Sequence, residues 1–155
     1  MGIYVNPGNR NFRDSLNSEV YVDKSEMVAE LNRDFRTEQK YVCVSRARRF
    51  GKTMMTNLLS AYYSKGCDSR ALFERLKLSR KPGWDAHLNA VNVIKVDMNA
   101  ELCDSSVRAD VVRRLKDSVV GELRDAFPGV GIPQGASIAR AIARIYDVTG
   151  ETFVI

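Results

Sequence analysis

The sequence predicts an α/β domain: a parallel sheet flanked by helices. Three observations carry that expectation. Short β-rich apolar runs at 41–44, 91–97 and 152–155 are separated by stretches whose apolar residues recur three and four apart. Strands separated by helices pair in parallel through crossover connections. The first run also passes through a short basic loop straight into a helical pattern. A length of 155 residues is enough for one domain with its own core.

Residues 1–17 are polar, with Pro7-Gly8-Asn9 as a turn signal. A short extended run, Val20-Tyr21-Val22, follows, and Asp23 reads as the N-cap of a helix carrying Met27, Val28 and Leu31. Residues 32–40 are charged and read as a loop. Tyr41-Val42-Cys43-Val44 suits a buried strand. From Gly51 the pattern is helical, with Met54, Met55, Leu58, Leu59, Tyr62 and Tyr63 on one face and Gly66 as the stop. Asp68 is placed to cap a helix bearing Leu72, Phe73 and Leu76. Lys81-Pro82-Gly83 marks a turn, and 84–88 a helical turn. Val91, Val93, Ile94 and Val96 make a second buried strand that ends at Asp97. Ser105 and Ser106 head a long helix through Val107, Val111, Val112, Leu115, Val119 and Leu123, stopped by Pro128-Gly129. Ser137 starts another helix with Ile138, Ala141, Ile142 and Ile145, and Gly150 lies just past it. Thr152–Ile155 begins a third strand.

Chemistry concentrates at Ser45-Arg46-Ala47-Arg48-Arg49-Phe50-Gly51-Lys52-Thr53. A P-loop reads Gly, four residues, then Gly-Lys-Ser/Thr. Gly51, Lys52 and Thr53 match; Arg46 stands where the first glycine belongs. A loop between a strand and a helix presents backbone N–H groups at the positive end of the helix dipole, which is an anion site. Gly51 permits close approach of the backbone, and Lys52, the candidate catalytic residue, brings charge to the β- and γ-phosphates. Thr53 offers a hydroxyl to magnesium. Arg46, Arg48 and Arg49 are suited to further phosphate contacts, or else form a solvated basic loop. The cofactor-contacting stretch extends through Phe50 to Met54 at the first helical turn, although the side chains of Met54 and Met55 also fit a core face. Asp97, at a strand end, has the position of a Walker B acid, but Met98 follows it and no acid pair forms.

The remaining composition narrows the classes. Hydrophobic residues make up 45% and charged residues 28%, a globular balance. A net charge of +5 suits a polyanionic partner, whether nucleotide or nucleic acid, although charge alone fits a well-solvated surface better. No apolar stretch is long enough to span a bilayer, and residues 1–14 have no secretory pattern, so the expectation is a cytoplasmic protein with no membrane partner. Cys43, Cys67 and Cys103 are scattered and His87 is the sole histidine. Neither a zinc site, a disulfide framework nor a Cys/His or Ser/His/Asp constellation can be assembled.

The stretch 41–53 resembles the signature of the bacterial AAA-ATPase-like proteins, whose loop reads Ser-Arg-Pro-Arg-Arg-Phe-Gly-Lys-Ser/Thr. Here Ala47 replaces the proline, and the arginine at position 46 is a family trait. Tyr21-Val22-Asp23-Lys24-Ser25, Leu59–Tyr63, Leu72-Phe73 and 93–97 also resemble family segments. The resemblance implies a P-loop NTPase-type parallel sheet flanked by helices, with ATP and Mg2+ as cofactors. It also implies that Thr149-Gly150-Glu151 and Phe153-Val154-Ile155 lead into a Walker B strand whose Ile-Asp-Glu segment comes next. On that reading Asp97 ends an earlier strand, and the chain is a fragment truncated at the start of the Walker B strand. A later nuclease-like region of the PD-(D/E)xK type, common in the family, lies outside it.

The expected organisation is an N-terminal segment with a short helix over 1–40 and an incomplete P-loop core over 41–155. The expected function is ATP binding through a variant P-loop, with hydrolysis belonging to the intact protein. One alternative is a basic nucleic-acid-binding module with a vestigial nucleotide site. Another is an incomplete domain with an exposed edge strand and no activity alone.

Overall fold

A computed structural model of the chain describes residues 2–45, 47, 50–103 and 108–155. They divide into two compact units: Gly8–Ala90, and Val91–Ile155 together with the N-terminal residues through Pro7.

The Gly8–Ala90 unit is helical. It holds α1 (Arg10–Leu16), α2 (Glu26–Asp34), α3 (Lys52–Tyr63) and α4 (Arg70–Phe73), with short 3-10 turns at Glu38–Lys40 and Lys77–Arg80. Its core is aromatic. Phe12 stacks on Phe73 with ring centroids 5.2 Å apart, and Tyr62 meets Phe73 edge-on at 5.4 Å. Val28, Leu58, Ala61 and Leu78 are buried in the same unit. Burying each large apolar side chain stabilises the unit by about 1.5–3 kcal/mol. The hydroxyls of Tyr62 and Tyr63 are both engaged: Tyr62 donates to the Trp84 carbonyl and accepts from the Asn32 amide, and Tyr63 donates to Asn32 Oδ1.

The α1 helix lies in the polar stretch 1–17, where the sequence marked only a turn; only Phe12 of that helix is buried, too little to give a visible period. Residues 41–44 are a second correction. They form no strand, and Tyr41 is 86% exposed. A β-rich run becomes a strand only beside another strand, and among the described residues of this unit there is none.

The other unit carries the sheet. Strands β1 (Asn92–Val93) and β2 (Phe153–Val154) run parallel, with Asn92 opposite Phe153 and Val93 opposite Val154. Val5 forms an antiparallel bridge with Ile94. Helices α5 (Met98–Cys103), α6 (Arg108–Ala126) and α7 (Ile138–Thr149) and a 3-10 turn at Pro128–Val130 complete it. Val119, Val120, Leu123, Ala141 and Ile145 pack against Val5 and Ile94.

Ser137 caps α7 by accepting from Arg140 N, and Gly150 closes it in the left-handed region, both at the expected positions. The expected caps Ser105 and Ser106 and the first apolar residue, Val107, lie outside the described residues. The expected α/β class stands in its coarse form, a helix-rich chain with a small two-stranded parallel sheet.

Candidate functional site

The N-terminus of α3 holds the described part of the sequence-predicted site. Gly51 is its N-cap, with φ 79° and ψ 24°, a left-handed conformation that glycine adopts without steric cost. It brings no side chain to cap the helix, and the first turn has no acidic residue, so the positive end of the dipole is not neutralised from within. Lys52 and Thr53 follow at the first two helical positions, both exposed. The Lys52 ammonium folds back and donates to the Ala47 carbonyl at 2.9 Å. Arg46, Arg48 and Arg49 lie outside the described residues.

A cavity of about 280 Å³ adjoins this helix end. Phe50, Gly51, Met54, Met55 and Leu58 form one wall, and Val20, Tyr21, Val22 and Lys24 the other. Thus Phe50, Gly51 and Met54 of the predicted set share one cavity. Phe50 is 63% exposed, Val20 77% and Val22 64%, an apolar cluster left open beside a helix N-terminus. Burial, and secondarily the Asp23 carboxylate, push the Tyr21 phenol up to about 12, so that hydroxyl stays protonated at physiological pH.

The segment after Tyr21 is fixed by its own polar side chains. Asp23 accepts from Ser25 N at 2.8 Å and from Lys77 N at 2.7 Å. Ser25, fully buried, accepts from Leu78 N at 3.0 Å. Burial alone would raise the Asp23 pKa; the bonds from Lys77 and Ser25 outweigh it and hold the carboxyl below its usual range. Between these two anchors Lys24 donates to the Phe50 carbonyl at 3.0 Å. Helix α2 therefore starts after Ser25; Asp23, the expected N-cap, ties the chain to residue 77 instead.

Asp97 has a local task. Its Oδ1 accepts from Asn99 N at 3.0 Å and Ala100 N at 3.4 Å, capping the start of α5. Among the described residues no three His, Cys, Asp or Glu side chains gather as a metal cluster, and no helix is long and apolar enough to cross a membrane.

Comparison with protein families matches residues 8–155 to the model described as a predicted AAA-ATPase. The chain belongs to the AAA-ATPase-like family. The match takes in the loop, the Tyr21–Ser25 segment and all of α1–α7. Neither the curated proteins nor the solved structures compared with it gave a match. Membership gives the AAA-ATPase-like chain nucleotide, in general terms, as its class of ligand. Lys24 is the residue at the helix end that composition and motif spacing do not single out. Its signal is the Asp23-Lys24-Ser25 order, two short polar anchors bracketing a long cation.

Proposed function

We propose that this chain binds ATP with Mg2+ at the turn from Ala47 to Met54. Backbone N–H groups at the start of α3 take the phosphates, with Gly51 allowing their close approach. Lys52 supplies the charge that opposes the β- and γ-phosphates, and Phe50 and Met54 flank the bound nucleotide. Arg46, Arg48 and Arg49 add guanidinium contacts to phosphate oxygens.

The supporting observation is a helix end without a side-chain cap or first-turn acid, preceded by a left-handed glycine and followed by a lysine folded over the loop. Thr53 is exposed at the second helical position. A hydroxyl there fits a magnesium ion that keeps waters and phosphate oxygens as its other ligands, which is how Mg2+ is usually held.

Equilibrium binding of Mg-ATP to the wild-type chain and to Lys52→Ala tests this. The wild type is expected to bind and the variant to lose most of the affinity. Equal affinity in the two proteins would refute the assignment.

A further inference from the structure

We propose that Lys24 is a second phosphate-binding lysine, built into the site by the Asp23 and Ser25 anchors; this rests on the ATP-binding reading above. Lys24 is far from the loop in sequence, and its ammonium nonetheless donates to the carbonyl of Phe50, the residue immediately before Gly51. A side chain added at Gly51 would place its Cβ 3.6 Å from that ammonium. The charge therefore sits over the glycine where the backbone is to meet a phosphate.

The placement is held from both sides. Asp23 and Ser25 each accept from a backbone N–H at the start of the Lys77–Arg80 turn, so the residue between them has little freedom to leave. A solvated lysine has no need of such anchoring, and an exposed ammonium–carbonyl bond by itself contributes little to stability. An ammonium carries three donors, and the Phe50 carbonyl uses one.

Lys24 also lines the apolar cavity next to Gly51. It stands at the junction between that cavity and the helix end. A mononucleotide has the matching chemistry: a flat base with apolar faces joined to a polyanion. A ligand lying along the cavity with its phosphates on α3 brings phosphate oxygens to this ammonium, beside Gly51.

Calorimetric titration of the full chain with Mg-ATP and with Mg-tripolyphosphate, at one fixed low ionic strength, tests the role. Lys24→Gln keeps a donor for the Phe50 carbonyl but removes the charge; Lys24→Arg keeps the charge. The expected result is a loss of about tenfold in affinity for both probes in Lys24→Gln, with Lys24→Arg close to wild type. A melting temperature without ligand that is unchanged in Lys24→Gln would accompany it. Wild-type affinity in Lys24→Gln would overturn the proposal. So would equal losses in Lys24→Gln and Lys24→Arg, since those would report the fit to Phe50 rather than charge. A loss for Mg-ATP alone would move the contact to the nucleoside and refute a phosphate role. If the wild type binds neither probe, the ATP-binding reading fails and this falls with it. If Lys52→Ala loses binding and Lys24→Gln does not, only the inference about Lys24 fails.

Discussion

The Lys52 ammonium lies 2.9 Å from the carbonyl oxygen of Ala47, five residues back along the loop. A lysine at the first position of a helix ordinarily extends into solvent. Here it turns back over the loop, and the charge is held beside the residues from which a phosphate cradle would be made.

Gly51 at φ 79° gives the first prediction. Gly51→Ala forces a Cβ into the left-handed region, at a cost of about 1–2 kcal/mol. Urea unfolding should register that loss, and Mg-ATP affinity should fall with it. An alanine variant as stable as the wild type would show that the turn is not held in this conformation.

Asp23 gives the second. Its carboxylate accepts from Ser25 N within the Tyr21–Ser25 segment and from Lys77 N, which ties that segment to residue 77, and Asp23→Ala should destabilise the chain by about 1–3 kcal/mol. The folded carboxyl titrates below its usual range, so the stabilisation is complete above the unfolded value of about 4 and is lost as pH falls through the folded one. The difference in stability between wild type and Asp23→Ala should therefore shrink in acid. A difference independent of pH would remove the carboxylate from the explanation.

His87 titrates in another window. Burial, then the nearby Arg36 charge, lower its pKa, and its ring lies 4.5 Å from that of Phe35. The unfolded chain takes up the proton more readily, so stability is full above about pH 6.5 and declines as pH falls through the lowered folded value. Melting curves from pH 7 downward should show a decline that is smaller in His87→Leu. An identical decline in both proteins would exclude His87 as its source.

Glu122 anchors the other unit. Its carboxylate accepts from the backbone N–H groups of Ile3, Tyr4 and Val5 at 2.8, 2.9 and 2.7 Å. A side chain at Gly2 would overlap that carboxylate. Glu122→Ala should cost about 2 kcal/mol and release the N-terminal residues, read as faster amide exchange at Val5. Unchanged exchange there would contradict the anchoring role.

Helices α3 and α7 were legible in the sequence because a repeating apolar face and a glycine or serine boundary agree with each other. The parallel sense of β1 and β2 was legible because the apolar runs at 91–97 and 152–155 are separated by helical patterns. Helix α1 was hidden because a single phenylalanine supplies its buried contact. The run at 41–44 misled because β propensity describes a side chain's fit to a sheet, and this run has no strand beside it. At the site, Gly-Lys-Thr marks the helix end directly. Lys24 stood out only as part of the Tyr21–Ser25 segment, because nothing local shows that Asp23 and Ser25 reach residues 77 and 78.

The most direct measurement is thermal unfolding of wild type and Lys52→Ala, each with and without saturating Mg-ATP. A ligand at a hundred times its Kd that binds only the folded state adds about 2.7 kcal/mol. A phosphate site centred on Lys52 predicts a clear upward shift in the wild type and none in the variant, with the two melting alike when no nucleotide is present. Equal shifts in both, or no shift in a wild type that melts cooperatively, would contradict it.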